Sequence, residues 1–260
     1  MKRTLFLALT AFAMPVLAAP PAGFQQRVEQ LRTAYGAPGV SIAIVEDGKP
    51  TMAQGWGVRE IGKPAQVGPD TIFATGSTGK AFTVAALAIL VDQGKLKWDD
   101  RVIDHMPDFR MWDPWVTREM TVRELLVHRS GLGLGAGDLL FVPNSDLTRN
   151  ETMRRLRFIE PASSFRSAYA YDNVLYMVAG QLVEEISGES WEQFMRSHVF
   201  APLGMSRATT SDADFQANPD RGHFHGRFDG PIVGLGTQEP YSAEAALAGN
   251  AAPAGGLAIS

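Results

Sequence analysis

The sequence predicts an α/β fold in which a sheet carries a helical insertion, and three observations lead there. Two apolar runs joined by Asp47 and Gly48 read as an antiparallel hairpin, because Asp-Gly tolerates the positive φ of a tight turn. Residues 82–91 are apolar on every face, and a helix with no polar side belongs inside a protein. After them come several helical patterns in succession, an order of strands followed by helices that fits a sheet with an inserted helical layer.

Taken in order, residues 24–35 form an amphipathic helix with Phe24, Val28, Leu31 and Tyr35 near one face, stopped by Gly36. Residues 40–45 and 51–58 are the hairpin strands. Gly55 and Gly57 permit a close approach or a bulge, and the hairpin is expected to pack on the apolar helix. That helix opens at Thr75-Gly76-Ser77, where a hydroxyl can cap free N–H groups, and ends at Gly94. A short helical turn over 102–106 leads to an aromatic loop at 111–115, whose two tryptophans read as loop packing. A capping box at Thr121 and Glu124 starts a helix over 122–128. Residues 131–137 are a glycine-rich loop. Residues 149–158 form a helix with a solvated basic face, and residues 174–186 a helix stopped by Gly188. Ser190 and Gln193 make a second capping box whose helix runs to Phe200. Residues 212–240 read as loop with short strands, and His223 and His225 as surface histidines rather than a metal pair.

Composition narrows the function. The chain has 260 residues, 45% of them hydrophobic and 20% charged, with a formal net charge of −4. This is a globular composition, with nothing basic to attract nucleic acid. The lack of cysteine removes thiol chemistry, disulfides and thiolate metal sites. No cofactor or metal is called for. Lys2 and Arg3, the apolar run 5–13 and the small residues up to Ala18 form a secretory signal, expected to be cut after Ala18. The expectation is a periplasmic or secreted protein with no stable membrane anchor and one domain over 19–260.

Ser77 and Lys80 form the only Ser-x-x-Lys of the chain. At three residues apart on a helix they share a face, at a positive helix end that eases loss of the lysine proton. A neutral lysine can take the serine proton, and the helix start offers N–H groups to an oxyanion. On spacing alone the plainer reading prevails, a capping serine and an exposed lysine. A phosphate-binding loop around Gly79-Lys80 is excluded, because Ala74 and Ala81 stand where it needs glycine and a hydroxyl residue.

The chain resembles the serine β-lactamase-like, penicillin-binding family: class C β-lactamases, D-Ala-D-Ala carboxypeptidases and related esterases. The resemblance rests on residues 36–48, on 72–80 with Ser77 and Lys80, on 125–132 with His128 and Ser130, on Tyr171-Asp172-Asn173, on 200–205 and on 253–257. It implies a β-lactamase/transpeptidase-like fold, an antiparallel sheet flanked by helices with an all-helical insertion. It implies that Ser77 accepts the acyl group, that Lys80 and Tyr171 share the proton work, and that Asn173 binds the carbonyl side of a small-molecule or peptide substrate. A free tyrosine, with a pKa of about 10, needs such help to act as a base. The plain alternatives are a core aromatic at Tyr171 and a helix cap at Asn173. Asp172 departs from the small residue usual between them. A third family motif, Lys-Thr-Gly or His-x-Gly, is not found, and the expectation is a truncated member lacking C-terminal sheet strands, with little activity of its own. Two functions follow: a serine hydrolase acting on β-lactams, D-amino-acid peptides or small esters, or a non-catalytic binding or scaffold protein of the same fold.

Overall fold

A computed structural model describes residues 20–143, 145–230, 234–241 and 249–260. The expected signal segment therefore lies outside the described residues. The helix α1 (Phe24–Ala34) precedes the hairpin strands β1 (Gly39–Glu46) and β2 (Lys49–Gly57). Asp47 and Gly48 both take positive φ, as the turn requires. Of the face expected on α1, only Val28 is buried, and Tyr35 is exposed. Gly55 lets β2 pass against the backbone of Val67, where a Cβ would lie 2.3 Å from its carbonyl oxygen. The register shift falls elsewhere, between Ile44 and Val45. No residue of either strand is buried. Among the described residues the two hairpin strands meet each other most extensively, and the apolar helix is not among the elements they pack on broadly.

Strand β3 (Phe73–Ala74) enters a 3₁₀ turn, Gly76–Gly79, and then α2 (Lys80–Asp92). The insertion follows as α3 (Val102–His105), α4 (Pro114–Glu119), α5 (Arg149–Arg155), α6 (Val174–Ser187) and α7 (Trp191–Phe194), the last continuing as a π-helical turn, Met195–Phe200. Helix α8 (Asp212–Ala217), strands β4 (Phe224–Gly226) and β5 (Glu239–Tyr241), a 3₁₀ helix at Gly249–Ala254 and strand β6 (Ala258–Ile259) complete the described chain. The strands pair antiparallel as three two-stranded ladders, β1–β2, β3–β6 and β4–β5.

Several local expectations are corrected. The aromatic loop holds α4, which Asp113 caps by accepting from Trp115 N, with Pro114 as first helical residue. Trp112 and Trp115 stay half exposed while Met111 is buried. The capping contact of Thr121 with Glu124 is present, but only a 3₁₀ turn, Arg123–Leu125, follows it. Ser190 caps Gln193 N, whereas the Gln193 side chain turns to Ser197, so the second box is half made. His223 and His225 are half-buried and partnered: His223 lies beside Glu60 and Arg221, and His225 Nε2 accepts from Ile61 N.

The most enclosed helix is α6, whose residues from Val174 to Val183 are all buried; α2 buries Lys80, Thr83, Ala86, Leu87 and Leu90 but exposes Ala81. Helix α6 packs on α2, α5, α7 and the 3₁₀ helix at Gly249–Ala254. Gly180 makes the last contact possible, since a Cβ there would lie 2.3 Å from Pro253 Cγ. Arg154, Arg155 and Arg157 form the expected solvated basic face, and Arg149 alone departs from it. It is buried, paired with Glu184 at 2.6 Å and with Glu192, and bonded to the carbonyls of Gly249 and Asn250. One cation thus joins α5, α6, α7 and the 3₁₀ helix. Arg149→Ala leaves two carboxylates facing one another without their counter-charge, and is expected to cost about 3–5 kcal/mol. Urea unfolding of the two proteins measures it, and a loss under about 1 kcal/mol, the scale of an exposed pair, would contradict this reading of Arg149.

Candidate active site

Ser77 is placed by β3. The β3–β6 ladder continues past its end through Thr75 N to Leu257 O at 2.9 Å, and Gly76 at φ 53° turns the chain into the 3₁₀ turn. In such a turn residues i and i+3 lie above one another, which stacks Ser77 and Lys80. The hydroxyl does not cap the helix. Tyr171 Oη donates to Ser77 Oγ at 2.6 Å, and Lys80 Nζ lies 3.3 Å from the same oxygen. Nor is the lysine solvated: Lys80 is only 6% exposed. The plain reading of this pair fails on both counts.

A buried lysine needs acceptors, because water no longer solvates it. Lys80 Nζ donates to Asn173 Oδ1 at 2.7 Å and to Ala254 O at 2.8 Å, leaving one position for Ser77 Oγ. A neutral amine, with two protons used and a lone pair toward Ser77, fits this arrangement as well as an ammonium with three donors. Asn173 is held at its other end by Asp138, whose carboxylate lies 3.3 Å from Nδ2. Because the carboxylate only accepts, it turns Nδ2 toward itself and Oδ1 toward Lys80. All four residues expected at the site therefore meet: Ser77, Lys80, Tyr171 and Asn173. Tyr171 presents its hydroxyl to Ser77 rather than serving only as a core aromatic, and Asn173 stands at the N-cap position of α6 without a side-chain cap.

Asp172 takes the capping role instead. Its carboxylate points inward, accepts from Leu175 N at 3.1 Å and from Ser130 Oγ at 3.2 Å, and is buried. Burial pushes its carboxyl up to about 6, against the pull of those two bonds and of Lys80. Asp138 also raises it, by like charge. Burial and then Lys80 hold His128 below its ordinary value, and burial pushes Tyr176 up to about 12. Asp138 and the Ala254 carbonyl were not singled out in the sequence. Asp138 follows a glycine string with no periodicity, and a carbonyl leaves no mark on residue type.

With this geometry in view, the comparisons with known proteins are specific. A protein-family model described as Beta-lactamase matches residues 24–260. The chain belongs to the beta-lactamase family. Among its curated relatives, an unguisins hydrolase of Aspergillus campestris is 32% identical over 75% of this chain and 37% of its own length. Penicillin-binding protein 4 of Amycolatopsis lactamdurans is 32% identical over 73% of this chain and 49% of its own. The chain thus spans less than half the length of these family members. The octameric penicillin-binding protein homologue of Pyrococcus abyssi superposes with a TM-score of 0.71 at 26% identity, over 91% of this chain and 52% of that one. Family and fold agree with what the sequence implied: a beta-lactamase-family hydrolase fold of helices and antiparallel strands.

Asp172 gives this family member a testable pH signature. Its folded carboxyl binds a proton up to about 6, whereas an unfolded one releases it near 3.8. The folded state therefore holds the extra proton between these values, and the buried carboxyl costs stability as pH rises through that window. The shift corresponds to about 3 kcal/mol. Asp172→Asn keeps an acceptor for Leu175 N and removes the titration. Its melting temperature relative to wild type is expected to climb from about pH 4 to pH 6 and then level; a difference flat across that range would show that Asp172 is not buried as described.

Proposed function

We propose that this chain is a serine hydrolase that becomes acylated on Ser77, with Lys80 and Tyr171 as its proton carriers. The observation that carries the reading is the single oxygen, Ser77 Oγ, lying 2.6 Å from Tyr171 Oη and 3.3 Å from Lys80 Nζ. Two proton arrangements fit these contacts. In one, the Tyr171 phenol donates to Ser77, whose proton faces a neutral Lys80. In the other, an ammonium donates to Ser77, whose proton faces a Tyr171 phenolate. They differ only in where protons sit along Tyr171, Ser77 and Lys80, so either base stands ready as Ser77 attacks.

Attack forms a bond from Ser77 Oγ to the substrate carbonyl carbon as the serine proton passes to the pair. The carbonyl oxygen becomes an oxyanion beside the N–H groups at the start of the 3₁₀ turn, which have no partner within the turn. The bond to the leaving nitrogen or oxygen then breaks, and that atom takes the proton. Water repeats the sequence on the acyl ester, losing its proton to the same pair, releasing the acid and restoring Ser77. Asn173 keeps one Nδ2 proton beyond the one directed at Asp138, available to a substrate carbonyl. β-Lactams, D-amino-acid peptides and small esters all present the carbonyl this requires. A hydrolase and a penicillin-binding protein among the relatives support that range.

Acylation of Ser77 by a chromogenic ester, followed as a pre-steady-state burst, tests the roles. Tyr171→Phe and Lys80→Ala are each expected to slow it about 10²–10⁴-fold, with far-UV circular dichroism unchanged for Tyr171→Phe. Acylation at the wild-type rate in Tyr171→Phe would assign that ring to packing. Absence of any burst in wild type, with β-lactam binding retained, would favour the binding-protein alternative.

A further inference from the structure

We propose that His128 is a positioning residue for Tyr171, holding residues 170, 171 and 172 by three different parts of itself. Its carbonyl accepts from Ala170 N at 2.7 Å. Its ring lies on the Tyr171 ring, with centroids 4.4 Å apart and planes at 32°. Its Nδ1 accepts from Asp172 N at 3.3 Å. The residue between those two backbone anchors is the one whose hydroxyl reaches Ser77. The proposal rests on the reading of Tyr171 as a proton carrier.

The clamp fixes both the backbone and the ring of Tyr171. A phenol pivots about χ1 and χ2, so holding the 171 backbone alone leaves its hydroxyl free to swing. A ring stacked against it removes that freedom, and a displacement on the scale of 1 Å at a reacting group costs up to about 10²-fold in rate. His128 holds this post at φ 55°, the left-handed region that a branched or bulky side chain resists and that histidine and asparagine enter more readily. Such a conformation persists only when its surroundings fix it, and here neighbours enclose the ring. Tyr169 and Tyr176 lie at 5.6 and 5.5 Å from it, and Tyr176 Oη is anchored on Leu126 O.

The clamp works with a neutral imidazole alone. Because Nδ1 accepts, the ring proton sits on Nε2. The titratable groups around it are Lys80 from α2, Tyr176 from α6, and Tyr169, Tyr171 and Asp172 from the segment before α6. The Asp172 carboxylate is turned away to Ser130 and Leu175 N. Protonation of His128 would remove the lone pair that Asp172 N–H uses and set a cation near Lys80. Burial and Lys80 both oppose it, so the folded protein releases that proton at a lower pH than the 6.5 of a free histidine. The fold therefore loses this contribution as pH falls from 6.5 through the lowered value, whereas Tyr171 keeps its support until the folded imidazole itself protonates at that lowered value.

Two variants separate the parts. His128→Asn places Oδ1 where Nδ1 stood and tolerates the left-handed backbone, but lacks the ring. His128→Phe keeps a ring and lacks the acceptor. Ser77 acylation by the chromogenic ester, with Ser77 and Lys80 intact, is measured in the wild-type and Tyr171→Phe backgrounds. His128→Asn is expected to slow acylation about tenfold or more in the wild-type background, with little further loss in Tyr171→Phe, where no hydroxyl remains to position. His128→Phe is expected to lose the component of the acid limb that the imidazole supplies. Imidazole ¹⁵N shifts of wild type are expected to show Nδ1 unprotonated and Nε2 protonated at neutral pH. Equal losses from His128→Asn in both backgrounds, with Tyr171→Phe itself impaired, would overturn the proposal and leave the Tyr171 reading standing. Wild-type acylation by Tyr171→Phe would instead remove that reading. A protonated Nδ1 at neutral pH would overturn the clamp whatever the variants do.

Discussion

The structure turns on one buried amine. Lys80 Nζ has left water, and the fold must supply what water gave it. It does so with three oxygens from three distant parts of the chain: Ser77 Oγ, Asn173 Oδ1 and Ala254 O. Meeting that need brings the start of α2, the start of α6 and the end of the 3₁₀ helix at Gly249–Ala254 to a single point. Much nearby packing reads as support for it. Thr83 Oγ1 donates to Pro253 O at 2.7 Å, Gly180 lets Pro253 seat against α6, and β6 fixes β3 so that the 3₁₀ turn begins where it does.

A second layer of polar groups lies behind Tyr171 and Asn173. Asp172 caps α6 from inside, Asp138 orients the Asn173 amide, and the carbonyl and Nδ1 of His128 grip the residues on either side of Tyr171. Buried polar groups of this kind are costly when half satisfied and specify one arrangement when complete. Rotation of the Asn173 amide would break its bond to Asp138, and the His128 ring stacked on Tyr171 limits the swing of its hydroxyl, so the layer preserves the geometry at Ser77.

What the sequence revealed follows from distance along the chain. Ser77 and Lys80 are neighbours by local geometry, so their meeting was legible from spacing. The hairpin turn at Asp47-Gly48 and the helix stop at Gly188 were legible for the same reason. The family resemblance, not the spacing, brought Tyr171 and Asn173 to the site. The Asp138 carboxylate and the Ala254 carbonyl escaped because each acts across a long stretch of chain. The direction of Asp172 was undecidable from sequence, since a carboxylate there serves a pocket or a helix start equally well. Helix α4 was legible in principle through Asp113-Pro114, a cap followed by a first-turn proline, but the flanking tryptophans drew the reading toward a loop. The apolar run at 82–91 outshone α6 because Gln181, Glu184 and Glu185 give α6 a polar end. Those groups are taken up by partners: Glu184 meets the buried Arg149, and Gln181 bonds Glu185.

The central claim is that Ser77 Oγ, poised between Tyr171 and Lys80, is the reactive atom of this chain. The most direct measurement is peptide mapping by mass spectrometry after incubation with a fluorophosphonate, which phosphonylates activated serines and releases fluoride. The account predicts a single adduct on the peptide containing Ser77, blocked by prior reaction with a β-lactam or a reactive ester. An adduct on another serine, or an unmodified Ser77 under conditions that label a control serine hydrolase, would contradict it.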